Sequence, residues 1–240
     1  MRLPDFVGIG AQKAGTTSLH YLLAQDQRIG VPQCKEVHFF DSDNWKDTRK
    51  YSHYFENLSK SKVIGEITPY YMFHPEAARR IHKTIPEVKI IAVLRDPIKR
   101  AISQYFHARR RGYEKLSIEE AIEKEKERLA SGSKYSHQKH SYISRSKYAE
   151  QLFAYEKLFP SKNILLLKSE DMFINPERAW LRLQRFLEIE AFPLKSKMPK
   201  ANTGGGEGRE VNSETREKIR LLLEDTYSTM KKKYGISWDI

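Results

Sequence analysis

Phe6-Val7-Gly8-Ile9-Gly10-Ala11-Gln12-Lys13-Ala14-Gly15-Thr16-Thr17-Ser18-Leu19 is the stretch on which the reading of this chain turns. The apolar run Phe6–Ile9 gives way to a glycine-bearing turn, and Leu19, Leu22 and Leu23 then recur at helical spacing, so the pattern predicts strand, loop, helix. In that geometry successive backbone N–H groups converge on one point, and the positive end of the helix dipole faces the same point. The interval from Gly10 to Gly15 is that of a nucleotide-binding P-loop, but Thr16 stands where the pattern G-x-x-x-x-G-K-[ST] has lysine. The cation lies inside the turn instead, at Lys13. A glycine pair alone reads as a plain strand-to-helix turn. With Lys13 and three hydroxyl residues added, Lys13, Ala14, Gly15, Thr16, Thr17 and Ser18 read as an anion-binding loop, although the loop by itself does not name the anion.

Outward from that corner, the 240 residues suffice for a substantial core, and we take residues 1–240 as a single domain. Hydrophobic residues at 39% and aromatic residues at 11% exclude a disordered chain. The net charge of +12 implies an anionic partner: a nucleotide, a sulfated or carboxylated polymer, nucleic acid or an acidic membrane surface. Cys34, the single cysteine, excludes an internal disulfide and a multi-cysteine metal site and points to a reducing compartment. It reads as a bystander or as a small buried apolar residue. No apolar run reaches the length of a membrane span, and no charged-then-apolar leader opens the chain. The expectation is a cytoplasmic protein with no transmembrane segment.

Further strands are predicted at Lys62–Glu66, at Val88–Leu94 and at Asn163–Leu167, the last two apolar enough for strands buried on both faces of a parallel sheet. Ile29–Val37 reads as an irregular connection. Pro75–Thr84 fits a helix with Pro75 in its first position. Asp96-Pro97 caps and opens another, ended by Gly112, on which Lys99, Ser103 and His107 fall four residues apart and share a face. Ser117-Ile118-Glu119-Glu120 is a capping box that opens an exposed, highly charged helix running to about Gly132. Ser133–Ser144 reads as a loop, whose His137 and His140 lack a third metal ligand nearby. A helix with Tyr148, Leu152 and Tyr155 ends before Pro160, and Asn175-Pro176 starts the next. Pro193–Arg209, rich in Pro, Lys and Gly, is a linker or a lid. A final helix over Ser213–Lys233 presents Ile219, Leu222, Leu223, Thr226 and Met230 on one face. Together these predict an α/β fold of three layers, with a mostly parallel central sheet and a P-loop-like phosphate-binding strand-loop-helix. Because ligands gather at the carboxyl ends of such strands, Arg95 and the Lys13 loop are expected to face one ligand.

Three segments in order, Gly10-Ala11-Gln12-Lys13-Ala14-Gly15-Thr16-Thr17, Lys35-Glu36-Val37-His38-Phe39-Phe40-Asp41, and Leu94-Arg95-Asp96-Pro97 with Ser103 downstream, resemble the sulfotransferase family. The resemblance is nearest to its heparan sulfate branch and bacterial relatives, and it extends to about the Asn163 strand and the helix after it. It implies 3′-phosphoadenosine 5′-phosphosulfate (PAPS) as donor, adenosine 3′,5′-bisphosphate as product, and no metal. Read alone, Glu36 is a surface glutamate paired with Lys35; the resemblance makes it the general base that takes the acceptor's proton. It further implies that Lys13 and the amides of residues 14–18 neutralise the leaving phosphate, and that Arg95 and Ser103 hold the 3′-phosphate. His107 would border the reacting centre, Tyr148 would lie near the nucleotide, and Lys200 would sit in a basic loop that wraps it, with Arg209 a further candidate there.

One departure is Ile67, where heparan-type relatives carry a lysine beside the reacting centre; its absence weakens the case for a strictly heparan-type mechanism and a strongly anionic acceptor. Glu66 then helps position the acceptor or the neighbouring lysines. The expected reaction is in-line transfer of a sulfuryl group to a hydroxyl, with an amine second, on a small-molecule, lipid or glycan acceptor and not on nucleic acid. Two other classes compete. A P-loop kinase or nucleotide hydrolase is disfavoured by the missing lysine before Thr17. A polyanion-binding module is suggested by the charge, but that charge is scattered and matches no nucleic-acid motif.

Overall fold

The computed structural model describes residues 2–58, 60–194, 197–198 and 211–238. Five strands, β1 (Phe6–Gly10), β2 (Ile29–Gly30), β3 (Val63–Ile67), β4 (Lys89–Leu94) and β5 (Ile164–Lys168), form one sheet in the order β2-β3-β1-β4-β5, and every pairing is parallel. With its flanking helices this is the expected three-layer α/β fold. The four strands predicted from apolar runs are all present. The short edge strand β2 falls where an irregular connection was expected, because two residues pairing with Val63 and Ile64 leave too brief a run to show periodicity.

The register explains two glycines in the first apolar run and its neighbour. Phe6 pairs with Gly65 and Gly8 with Ile67, so each cross-strand pair sets one large side chain against none. A Cβ on Gly65 would lie 2.5 Å from the Phe6 ring, and one on Gly8 would lie 2.7 Å from Ile67 Cγ1. Ile67, the departure from the lysine pattern, is thus a core residue filling the space above Gly8.

The helices are α1 (Thr16–Ala24), α2 (Thr48–His53), α3 (Ala77–Thr84), α4 (Pro97–Arg110), α5 (Ile118–Glu123), α6 (Glu125–Ala130), α7 (Lys134–Lys139), α8 (Tyr148–Glu156), α9 (Ser169–Ile174), α10 (Pro176–Phe186), α11 (Ser213–Leu222) and α12 (Glu224–Tyr234). Several caps are those the sequence predicts. Asp96 Oδ1 accepts from Lys99 N at 2.7 Å, Asn175 Oδ1 accepts from Arg178 N at 3.2 Å, and the Ser117–Glu120 capping box is closed in both directions.

Other expectations are corrected. Pro75 precedes its helix, whose N-cap is Glu76. The charged segment after Ser117 is two short helices, and it is not peripheral: Ile118, Ala121, Ile122 and Glu125 are buried. The carboxylate of Glu125 accepts from the backbone N–H groups of Tyr142, Ile143 and Ser144 at 2.7–2.9 Å, a role that charge patterning does not reveal. Lys134–Lys139, expected as loop, is helical. The last helix breaks at Leu223, and the buried stripe is Ile219, Leu223, Thr226 and Met230, leaving Leu222 exposed. Cys34 is exposed, which removes the buried-apolar reading.

The described residues fall into two compact units. The first runs to Leu94 and takes in the stretch from Gln151 to 198; it holds the whole sheet. The second holds Arg95–Glu150 with α11 and α12. Its centre is Arg100, fully buried on α4, which donates through Nε to Ser146 Oγ at 2.6 Å. Among the described residues no helix is long and apolar enough to cross a membrane.

Candidate active site

Because the sheet is parallel, the residues that follow β1 and β3 emerge at one edge, the carboxyl edge, where an open α/β sheet collects its ligands. After β1 the chain turns through Ala11–Gly15. Ala11 N donates to Val93 O at 2.7 Å and Ala14 N to Ala11 O at 3.1 Å, which pins the turn between β4 and the start of α1. Lys13 (φ 69°) and Gly15 (φ 98°) adopt left-handed backbone, the conformation that curls successive amides toward one side. Gly15 is the N-cap of α1 and offers no side chain to the first turn, and no acidic residue lies in that turn. The first turn therefore places no carboxylate of its own at the dipole's positive end. Lys13, Gly15 and Thr17 are half-buried, while Ala14, Thr16 and Ser18 are buried. Amides, a lysine and hydroxyls around a helix N-terminus are the donor set that a phosphate ester requires, so these residues fit the nucleotide the sequence implies.

The second segment, Lys35–Asp41, lies beside the end of β3. Glu36 (φ 67°) and His38 (φ 54°) are both left-handed, so the backbone coils tightly and sends consecutive polar side chains to one place. Lys35 Nζ is paired with Glu36 Oε1, His38 Nε2 stands 3.6 Å from Glu36 Oε2, and His38 Nδ1 is 2.6 Å from Asp41 Oδ2. The order is therefore lysine, glutamate, histidine, aspartate. Burial is the largest influence on Glu36 and pushes its pKa up, but the His38 hydrogen bond and the Lys35 charge together outweigh it and leave it at about 2. Asp41 and then Glu36 raise His38 to about 10. At neutral pH the segment is a carboxylate–imidazolium–carboxylate chain with Glu36 ionised and 36% of its side chain open to solvent.

His20 ties this segment to the first one. It sits one turn into α1, is buried, and has an Nδ1 with no hydrogen-bond partner among the described residues. Burial lowers its pKa, as does the charge of Lys35, while Glu36 raises it, so Lys35 and Glu36 lie within electrostatic reach of the helix that the Lys13 loop opens. Of the expected site residues, the first unit thus contains Lys13, Ala14, Gly15, Thr16, Thr17, Ser18 and Glu36.

Arg95, Ser103, His107 and Tyr148 belong to the second unit. Arg95 follows the last residue of β4 and is half-buried, and Tyr148, fully buried, donates its hydroxyl to Arg95 O at 2.8 Å. Ser146 Oγ donates to Pro97 O at 2.8 Å, so the Ser146-Lys147-Tyr148 segment is fastened to the start of α4 beside Arg95. Ser103 and His107 are half-buried on one face of α4, as their spacing predicts, with Lys99 exposed one turn earlier. Lys200, Arg209 and the Gly204–Gly206 segment lie outside the described residues. His140 Nε2 is 3.0 Å from Tyr113 O, and among the described residues no group of three His, Cys, Asp or Glu is arranged to hold a metal.

Sequence reasoning singled out Glu36 but passed over His38 and Asp41. Their signal was present in the spacing Glu-x-His-x-x-Asp, which a left-handed turn can close into a chain of ionic contacts. Thr68 and Tyr71 were also passed over, and their contribution emerges only from the hydrogen bonds described below.

Residues 3–203 match the model of the sulfotransferase domain, and the chain belongs to that family. Over 106 residues it is 40% identical to a membrane-associated sulfotransferase, kil1, of Dictyostelium discoideum, an alignment covering 43% of this chain and 22% of that protein. It is 26% identical over 216 residues to a bifunctional heparan sulfate N-deacetylase/N-sulfotransferase of Drosophila melanogaster, covering 78% of this chain and 20% of that one. The chain spans about a fifth of the length of these two relatives. In fold it is similar to a sulfotransferase from Alicyclobacillus acidocaldarius, with a TM-score of 0.84 at 24% identity over 99% of this chain and 98% of that one.

Proposed function

We propose that this chain transfers a sulfuryl group from PAPS to the hydroxyl of a small-molecule, lipid or glycan acceptor, an amine being the second choice, with Glu36 as the base. The observation that carries the reading is the presence, in one unit, of a left-handed turn at Lys13 that opens a helix with no side-chain cap, and of a carboxylate held ionised at Glu36. PAPS, when bound, supplies an electrophilic sulfur and a leaving adenosine 3′,5′-bisphosphate, so that attack in line forms the acceptor O–S bond as the bridging S–O bond breaks.

What the chain's own residues contribute follows from their chemistry. Lys13 and the amides of residues 14–18 present fixed positive charge to the phosphate on which negative charge accumulates, and such preorganised donors count most where water is excluded. Glu36 accepts the acceptor's proton. Its pKa of about 2 makes it a weak base at rest, so the transfer is late: the acceptor oxygen becomes acidic enough only as its bond to sulfur forms. Until then the carboxylate serves to accept a hydrogen bond from the acceptor and fix its approach. Lys35 and His38 hold Glu36 charged and aimed, and Asp41 holds the His38 imidazolium. Arg95 and Ser103 are assigned to the 3′-phosphate, for which a guanidinium gives a bidentate grip and a hydroxyl one directional donor. His107, on the same face of α4, is assigned to the border of the reacting centre, and Tyr148 to the support of Arg95.

The deciding experiment is calorimetry with three titrants: adenosine 3′,5′-bisphosphate, ATP with magnesium, and a DNA oligomer. Tight binding of the first alone is expected, and preference for either of the others would replace this reading with a kinase-like or a polyanion-binding one. Arg95→Ala should weaken adenosine 3′,5′-bisphosphate by about tenfold or more, the value of a charged hydrogen-bonded pair, while leaving adenosine 5′-phosphate unchanged. Equal losses for the two nucleotides would remove Arg95 from the 3′-phosphate.

A further inference from the structure

The base-bearing segment is not held by its own ion pairs alone. Phe39 N and Phe40 N both donate to Tyr71 Oη, at 2.8 and 3.3 Å, and His38 N donates to Thr68 Oγ1 at 3.4 Å. Those two hydroxyl oxygens are used as acceptors, so their protons must go elsewhere. They go to one group: Tyr71 Oη donates to Glu66 Oε1 at 2.9 Å and Thr68 Oγ1 donates to Glu66 Oε2 at 2.6 Å. Tyr51, on α2, adds a third donation to Oε1 at 3.1 Å. Glu66 itself is 1% exposed, at the end of β3, and among the described residues no lysine, arginine or histidine forms a salt bridge with it.

We propose that Glu66 is a positioning residue for the transfer step: its buried carboxylate orients the hydroxyls of Thr68 and Tyr71, and through them fixes the backbone of His38–Phe40 and hence the aim of Glu36. The proposal rests on Glu36 being the base. Its logic is one of proton direction. An ionised carboxylate only accepts, so both hydroxyls are forced to donate downward and to keep their lone pairs for the loop amides. A protonated carboxyl, or a carboxamide, has a donor at one end. A hydroxyl must then accept from it: Tyr71, whose two lone pairs already hold Phe39 N and Phe40 N, can do so only by releasing one of them, and Thr68 can do so only by turning its own proton away from Glu66, out of the orientation that presents its oxygen to His38 N.

The clamp therefore titrates. Burial, the largest influence, raises Glu66 to about 7 against the lowering effect of the Thr68, Tyr71 and Tyr51 hydroxyls and of the His38 charge. The ionisable groups that face it are Tyr51 from α2, Tyr71 from the turn after β3, Tyr155 from α8 and His38 from the loop, with Asp41 acting on Tyr71. Burial keeps the three tyrosines well above their ordinary range, and His38 stays charged to about pH 10, so of these only Glu66 changes state near neutrality. The loop is held on the alkaline side and loosened on the acid side.

The test compares wild type with Glu66→Gln, Thr68→Val and Tyr71→Phe, measuring kcat, KM, affinity for adenosine 3′,5′-bisphosphate, and hydrogen exchange of the peptide covering residues 36–41. Each variant should lower kcat about ten- to a hundredfold, the scale of an ångström-level misplacement, with nucleotide affinity within twofold and with faster exchange in that peptide. Wild-type kcat should rise as pH passes about 7, and Glu66→Gln should be low and flat across the same range, while Glu66→Asp recovers part of the rise. Unchanged exchange in all three variants overturns the clamp. So does faster exchange with undiminished kcat, provided Glu36→Gln is inactive. If Glu36→Gln keeps full activity, the assignment of the base fails instead, and the exchange data still decide whether Glu66 holds the loop. Should Glu66→Gln not fold, Thr68→Val and Tyr71→Phe carry the same comparison.

Discussion

At the scale of single residues, the chemistry of this site is a matter of which charges compensate which. Glu36 is surrounded by influences of opposite sign: burial would leave it easier to protonate, whereas His38 and Lys35 hold its proton off. A carboxyl held at about 2, below the ordinary 4.5, contributes stability at and above pH 4.5 that is lost as pH falls through about 2. His38 has the opposite sign. Raised from 6.5 to about 10, it contributes stability that is complete below pH 6.5 and lost as pH climbs through about 10. The two shifts have a common origin, so His38→Ala should act on Glu36 as well. With the imidazolium gone, burial is opposed by Lys35 alone and the Glu36 pKa should move upward, read as a displaced titration in carbon-detected NMR of labelled glutamates. An unmoved Glu36 would mean that Lys35 holds the carboxylate unaided, and His38 would lose its assigned task.

At the scale of elements, what the sequence disclosed depended on how local the determining forces are. The β1 corner was legible because a strand, a left-handed turn and a helix start are set by neighbouring residues: apolar run, Gly15 at φ 98°, then Leu19 and Leu23 facing inward. The caps at Asp96, Ser117 and Asn175 were legible for the same reason. Contacts between distant segments were not. Nothing in the composition of the 117–130 segment announces that Glu125 is buried beneath the backbone of 142–144, or that Tyr71 would accept two amides from a turn thirty residues earlier. The left-handed backbone at Glu36 was likewise invisible, since glutamate does not mark such a turn, and the histidine at 38, a type enriched there, is only a weak sign of it. The large-against-small pairing of β1 with β3 is a distant contact of this kind, and it yields a stability prediction. Gly65→Ala places a methyl group 2.5 Å from the Phe6 ring at the centre of the sheet, so the ring or the strand must move. Overpacking of that sort costs about 1–3 kcal/mol, visible as a lower denaturant midpoint at constant m-value. The double variant Phe6→Leu with Gly65→Ala should recover part of the loss, and a neutral Gly65→Ala would show that the strands separate freely.

At the scale of the whole molecule, the excess of 43 basic over 31 acidic residues sets the long-range field, and a nucleotide bearing phosphates at both ends of its ribose is the kind of ligand that field favours. On the proposed function the same ligand also couples to stability, because a site that exists only in the folded chain would bind it. At a hundredfold excess over Kd the gain is about 2.7 kcal/mol, and a chain of this size shifts its melting temperature by about 2–4 °C for each kcal/mol. Adenosine 3′,5′-bisphosphate should therefore raise Tm by about 5–10 °C, and adenosine 5′-phosphate at the same concentration by less, as the proposed assignment of Arg95 and Ser103 to the 3′-phosphate requires. Raising salt from about 0.1 M to 1 M shortens the screening length from about 10 Å to 3 Å, so the part of the shift that comes from scattered surface charge should vanish while the part made by direct contacts persists. A shift that disappears entirely at high salt would assign the nucleotide to the diffuse field. A shift of the same size for ATP with magnesium would show that the β1 corner recognises phosphate without regard to the 3′ position.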